Sequence, residues 1–265
     1  MIRLVATDLD GTLLHSDGSV SDRNRAALER AHARGLQIVV TTGRPPRLVH
    51  PLAEQIGSAD VAICANGAIV VELATGTVLV HHPLAEAVAR RLIVELRGEL
   101  PGILFSLEVG LDFAREPAYH ATFKPPPAPR YADALELVCE QVTKLLARHP
   151  SAPFAEVLAA AGRIGGDDAV STTAGGTVVE ISGAGVTKAS ALATLCAAAG
   201  IAPAEVIAFG DAPNDLAQLA FAGRSVAVGN AHPDVLAAAD EVTATNDEDG
   251  VALVLERLLD GPAGF

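Results

Sequence analysis

"RLVATDLDGTLL", residues 3–14, is the stretch on which the reading of this chain turns. Its first half is an apolar run suited to a strand, and it ends by setting Asp8 and Asp10 two residues apart, with Gly11 and Thr12 directly behind. In an extended chain, side chains at i and i+2 point to one face, roughly 6 to 7 Å apart along the strand. Two carboxylates held that close raise each other's pKa unless something positive lies between them. The stretch therefore reads as a strand whose end calls for a cation.

Further short apolar runs ending in polar residues or glycine follow: "LQIVVTTG", "VAICANGA" and, much later, "EVIAFGD", "SVAVGN" and "EVTATN". Helical patterns lie between several of them, such as "SDRNRAALERAHARG", with Ser21 as N-cap and Gly35 as stop. Strands alternating with helices predict an α/β fold built on a doubly wound parallel sheet. Ligands in such sheets bind at the carboxyl ends of the strands, where Asp8, Thr42, Asn66 and Asp211 all fall.

The middle of the chain has a different texture. A helix pattern, "LAEAVARRLIVELRGEL", precedes a strand candidate, "GILFSLEV", and then a segment with five prolines between Glu116 and Tyr131. That proline-rich segment, 117–130, can be neither helix nor central strand and is read as a loop or extended excursion. A helix from about Asp133, an ambiguous "VTKLLAR", a helix near Phe154 to Gly162 and the strands "AVSTT" and "TVVEIS" complete the stretch. The expected organisation is a core of residues 1–82 and 184–265 interrupted by an α/β insertion, 83–183. No internal repeat is visible.

The 265 residues leave ample material for a buried core. Half are apolar, only 3% are aromatic and there is no Trp, so that core is built from Ala, Val, Leu and Ile. No apolar run reaches the roughly 18 uncharged residues of a membrane helix. The amino terminus runs into a strand without a signal-peptide pattern, so a cytoplasmic location is expected. Cys64, Cys139 and Cys196 are far apart and form no CxxC pair, which indicates neither a zinc site nor a disulfide framework. A formal net charge of −13 argues against nucleic acid or an anionic membrane as partner. No protein partner is indicated.

Four clusters stand outside the core pattern: Asp8 and Asp10, Thr41 to Arg44 in "TTGR", Lys188 in "GVTKAS", and Gly210 to Asp215 in "GDAPND". Three of them begin at predicted strand ends, which share one rim of a parallel sheet. Carboxylates converging there in an acidic protein would repel, and a hard divalent cation with oxygen ligands relieves them; Mg²⁺ fits that role. The Thr42 hydroxyl, loop amides and the Lys188 ammonium supply donors for phosphoryl oxygens. Together they describe a phosphoryl-transfer site.

With "DLDGTLL", "TTGR", "GVTKASAL" and the long segment from "GDAPND" to "ALVLERLL" in this order, the chain resembles the haloacid dehalogenase superfamily of hydrolases, in its Cof-type branch with a large α/β cap of class IIB. The resemblance covers about residues 1–82 and 184–260 by motif, and the insertion by size and position. It implies a Rossmann-like core with a cap that contributes substrate recognition, and a Mg²⁺-dependent phosphatase, a phosphoric monoester hydrolase acting on a small phosphorylated metabolite such as a sugar phosphate. Asp8 would be the nucleophile forming an aspartyl-phosphate, and Asp10 the general acid and base. Leu9 through its amide, Thr42, Gly43, Lys188 and Asn214 would bind the phosphoryl group. Asp8, Asp211 and the Asp10 carbonyl would hold the metal, and Asp215 would orient Lys188 or a metal-bound water. A carboxyl at Asp10 favours phosphate esters over haloacids, because the superfamily's dehalogenases lack an acid there. The same core and cap occur in phosphomannomutases, so phosphosugar mutase activity is the alternative, with a non-catalytic phosphate-binding module behind it.

Several tempting motifs carry less. "GAGVTKAS" fails as a P-loop because Thr187, not Gly, precedes the lysine. "NDEDG", Asn246 to Gly250, lacks EF-hand spacing and reads as a turn before a helix. His81 and His82 read as surface residues at the entry to the insertion. Arg44 has two readings, touching substrate or capping the next helix. Within the insertion Glu108, Asp112, His120, Lys124 and Arg130 are the candidate recognition groups.

Overall fold

A computed structural model of the chain describes residues 1–120, 129–173 and 177–261. These form two compact units, Met1–Leu79 with Thr187–Phe265, and Val80–Val186. The first stretch of chain contains β1 (Leu4–Asp8), α1 (Asp22–Ala33), β2 (Gln37–Thr41), the one-turn helices α2 (Pro46–Val49) and α3 (Ala53–Ile56), β3 (Val61–Cys64), β4 (Ile69–Glu72) and β5 (Val78–His81). The middle supplies α4 (Glu86–Glu99), β6 (Leu104–Val109), β7 (Asp112–Arg115), β8 (Arg130–Tyr131), α5 (Ala134–Leu137), β9 (Val142–Arg148), α6 (Phe154–Gly165), β10 (Ala169–Thr172) and β11 (Val179–Gly183). The last stretch adds α7 (Lys188–Ala199), β12 (Val206–Gly210), α8 (Leu216–Phe221), β13 (Arg224–Ala227), α9 (Pro233–Ala238), β14 (Glu241–Val242) and α10 (Gly250–Asp260).

The large sheet has the order β14-β13-β12-β1-β2-β3-β4-β5. From β14 to β3 neighbouring strands run parallel. β1 lies in the middle with all five residues buried, as a strand covered on both faces must. Ser21 caps α1 by accepting from the Asn24 amide, and Asn24, Ala27, Leu28 and Ala31 form its inner stripe. Asn24 then ties α1 to its neighbours, accepting from the Ala252 amide of α10 and donating to the Leu13 carbonyl.

The strictly parallel sheet expected from the sequence gives way at β4, which is antiparallel to β3. The cause is local. Ala65, Asn66 and Gly67 all have positive φ and reverse the chain within a few residues, far too few for the crossover that a parallel neighbour needs.

In the second unit the sheet order is β10-β11-β9-β6-β7-β8. One face is apolar: Phe105, Leu107, Leu145, Val179 and Ile181 share a core with Leu92, Leu96, Val157 and Ala161 of α4 and α6. The ambiguous "VTKLLAR" is strand β9, and the helix expected from Asp133 is the single turn α5, with Asp133 as its N-cap. Most of the proline-rich segment, with Lys124, lies outside the described residues.

Candidate active site

Because β12, β1, β2 and β3 are adjacent and parallel, their carboxyl ends share one rim, and the loops leaving it carry Asp211, Asp10, Thr42 and Asn66. Asp8 closes β1 opposite Thr41 of β2. The loop behind it is pinned by Leu9, Leu13 and Leu14, all essentially buried, at roughly 1.5–3 kcal/mol for each side chain. Asp10 is therefore half-buried on a loop that its neighbours hold in place.

At the bottom of the site lies a buried ion triad. Lys188 Nζ donates to Asp8 Oδ1 at 2.5 Å and to Asp215 Oδ1 at 2.6 Å. Lys188 opens α7, whose first turn is fixed by a reciprocal cap: Thr187 Oγ1 accepts from the Ser190 amide, and Ser190 Oγ accepts from that of Thr187. Asp215 is satisfied on both oxygens, since Gln218 also donates to Oδ1 while the backbone amides of Asp211 and Ala212 donate to Oδ2. It therefore acts as an anchor for Lys188 and for the loop that carries Asp211.

Two carboxylates here are ill at ease without a cation. Burial pushes Asp8 well above the ordinary carboxylate range, and Asp215 and Asp211 add to this against the opposing charge of Lys188. Burial, with Asp215, likewise lifts Asp211 to about 6, although Thr12 Oγ1 donates to its Oδ1 at 2.9 Å. For Lys188 burial works against the charge, but Asp215 and Asp8 outweigh it and hold the ammonium firmly protonated.

Asp8, Asp211 and Asp215 each offer a carboxylate oxygen within 4.8 Å of the others. The set is all oxygen with no His or Cys, which suits a hard divalent cation and not zinc. Gly11 leaves room for it to assemble: its φ is +78°, and a Cβ there would lie 2.6 Å from Asp211 Oδ2. The residues present thus fit a bound divalent cation.

The Asp10 carboxylate is not part of that cluster. Arg44 grips it with a two-pronged fork, Nε to Oδ2 at 2.7 Å and a second amino group to Oδ1. Thr42 is fully buried and its Oγ1 accepts from the Arg44 amide at 3.0 Å, with Gly43 in the turn between them. Leu9 is buried and its carbonyl accepts from the Leu14 amide. Asn214 Nδ2 donates to Asn66 Oδ1 at 3.0 Å, while Asn214 Oδ1 is buried with no hydrogen-bond partner among the described residues.

Gly67 escapes the sequence reading, and Asn66, placed at a strand end from the sequence, belongs to none of the four motifs. Asn66 holds Asn214 from 148 positions away, and Gly67 lies against the start of α7, where a Cβ would come within 2.2 Å of the Thr187 carbonyl oxygen. The "ANG" turn after β3 was the available signal, since Asn and Gly tolerate positive φ.

Within the second unit, Glu108 is buried and paired in register with Lys144, while Asp112, His120 and Arg130 are at least partly exposed. Buried Lys144 donates to Glu180 at 3.1 Å, a pair that the motifs did not announce.

Residues 5–255 match the family described as haloacid dehalogenase-like hydrolase. The chain is 29% identical to the 5-amino-6-(5-phospho-D-ribitylamino)uracil phosphatase YcsE of Bacillus subtilis, over 95% of this chain and 93% of that protein. It is 30% identical to the phosphatase YwpJ of the same organism, over 97% and 100%. A solved haloacid dehalogenase-like hydrolase from B. subtilis superposes with a TM-score of 0.84 at 28% identity, covering 97% of this chain and 100% of the other.

Proposed function

Because this chain belongs to the haloacid dehalogenase-like hydrolase family, whose relatives here are phosphatases, we propose that it is a Mg²⁺-dependent hydrolase of small phosphomonoesters, acting through an aspartyl-phosphate. A sugar phosphate or related polyol phosphate is the substrate class; the ribitylamino phosphate named for YcsE supports it. Residues 83–183 form the cap that selects the substrate. The observation that carries the reading is Asp8, buried at a strand end and fixed through one oxygen by Lys188.

Asp8 and Asp211, with the Asp10 carbonyl, would hold the metal, and Asp215 orients Lys188. Mg²⁺ held there would supply positive charge that offsets the carboxylates and stabilises charge developing on the phosphoryl oxygens. Leu9 and Gly43 amides, the Thr42 hydroxyl, Lys188 and Asn214 orient the phosphoryl group. An Asp8 oxygen attacks phosphorus while the ester P–O bond breaks, and Asp10 in its acid form gives a proton to the departing alkoxide. The resulting Asp10 carboxylate then takes a proton from water, whose oxygen attacks phosphorus and frees Asp8 and inorganic phosphate. Water as the acceptor, rather than a sugar hydroxyl, separates this from a mutase.

A phosphate-release screen over a metabolite panel with Mg²⁺ tests the reading. Release is expected to vanish with EDTA and in folded Asp8→Asn protein. Turnover by pure Asp8→Asn protein would remove the nucleophile assignment.

A further inference from the structure

Among the described residues, Arg44 is the basic group in contact with the side chain of Asp10. We infer that Arg44 is a positioning residue for Asp10: its guanidinium fixes the plane and rotamer of that carboxyl so that the oxygen exchanging a proton with the leaving alcohol, and later with water, is held in reach. The inference rests on the phosphatase reading and goes beyond it by giving the acid–base group its orienting partner.

Three observations carry it. The contact is a fork that engages both Asp10 oxygens, which fixes orientation as a single-point contact cannot. A carboxyl group has about four acceptor sites, so a fork that uses one on each oxygen leaves others for proton exchange. Secondly, the pair is graded in exposure. The Asp10 side chain is 44% exposed and that of Arg44 only 16%, so the carboxyl is open to a reactant while its holder is set into the protein. Thirdly, the Arg44 backbone is fixed independently of its side chain. Its amide donates to Thr42 Oγ1, its carbonyl accepts from the Ala65 amide at 2.9 Å, and Pro45 and Pro46 follow. A half-exposed ion pair adds little to stability, so the fork's consequence lies in geometry.

As the P–O bond to the alkoxide breaks and the Asp8–P bond forms, the Asp10 proton passes to the alkoxide oxygen and Asp10 becomes a carboxylate. As water attacks, its proton returns to Asp10 and the Asp8–O–P linkage opens. An alkoxide leaving group needs that first proton; a p-nitrophenolate leaving group does not.

Leaving-group dependence is therefore the test. Arg44→Met and Arg44→Lys are compared with wild type on an alkyl phosphate and on p-nitrophenyl phosphate, by steady-state turnover and by single-turnover formation of the phosphoenzyme. For Arg44→Met the expected result is a loss in kcat on the alkyl ester of about 100-fold, with little change in KM and a much smaller loss in phosphoenzyme formation from p-nitrophenyl phosphate. Arg44→Lys, which can contact but not fork, should recover part of the loss. Equal losses on both esters in single-turnover phosphoenzyme formation, or no loss on the alkyl ester, would overturn the inference, and melting curves identify a variant that has merely unfolded. If wild-type protein with Mg²⁺ forms no phosphoenzyme from either ester, the phosphatase reading itself falls; if it does and Arg44→Met matches wild type, only the role of Arg44 falls.

Discussion

Lys188 Nζ and Asp215 Oδ1 lie 2.6 Å apart with both side chains wholly buried, so the cation at the floor of the site is tied down from behind as well as from Asp8. Asp215 also accepts from Gln218 and two backbone amides. Removing it strands several buried donors at once. Asp215→Ala is expected to cost about 3 kcal/mol or more in urea unfolding, as breaking one side of a buried ion pair does. Asp215→Asn, which keeps an acceptor for the amides, should cost less. An Asp215→Ala protein as stable as wild type would show that this anchor is dispensable.

Gly11 reports on the cation cluster from outside it. With φ at +78° and Asp211 Oδ2 only 2.6 Å from where its Cβ would stand, Gly11→Ala must displace the Asp211 carboxylate or the loop. Mg²⁺ affinity, measured by calorimetric titration, is expected to fall about 10- to 100-fold, the usual penalty for disturbing what supports a metal ligand. Unchanged affinity in the folded variant would show that the cation does not depend on this packing of Gly11 against Asp211.

Much of the site could be read from the sequence because it lies at strand ends, where an apolar run stops and Asp8, Thr42 or Asp211 begins. Lys188 and Asp215 were legible through the motifs "GVTKAS" and "GDAPND" and the family resemblance that those carry. What local pattern could not supply was pairing across distance. Nothing near Arg44 announces Asp10, and nothing near Asn66 announces Asn214; these contacts exist only once β1, β2, β3 and β12 are adjacent. The turn to β4 was hidden for a related reason. Positive φ at Ala65 is an uncommon backbone state for alanine, and it is the compact turn that imposes it. Strand β9 was ambiguous because a short apolar run containing Lys144 fits helix or strand until Glu180 is found beside it.

The Asn66–Gly67 turn should matter for phosphate binding although no motif includes it. Asn66→Ala removes the acceptor that holds Asn214. Inorganic phosphate, used as a competitive inhibitor, is expected to bind about 10-fold more weakly, the scale of one misplaced hydrogen bond to a charged ligand. Gly67→Ala forces the turn away from the Thr187 carbonyl and should lower the melting temperature as well as phosphate affinity. Inhibition unchanged in both variants would confine the turn to a structural role.

Proton and Mg²⁺ should compete at Asp211. Without a cation, burial and Asp215 raise this carboxyl from the ordinary 3.8 to about 6. A folded-state pKa above the unfolded one means that the group's favourable contribution is fully present below about pH 3.8 and is lost as pH rises through about 6. The ion-free protein at neutral pH then carries a penalty of at most about 3 kcal/mol, less to the extent that water reaches the partly exposed side chain. Asp8 shifts in the same direction and adds to it. Mg²⁺ removes this penalty, so its stabilising effect in thermal melts should be large at about pH 7 and shrink by about pH 5, where protons already neutralise Asp211. Asp211→Asn separates this from general salt screening: its ion-free form should melt higher than ion-free wild type at about pH 7, and added Mg²⁺ should then raise the melting temperature little. Equal Mg²⁺ stabilisation at both pH values, or a full Mg²⁺ effect in Asp211→Asn, would mean that the cation binds elsewhere.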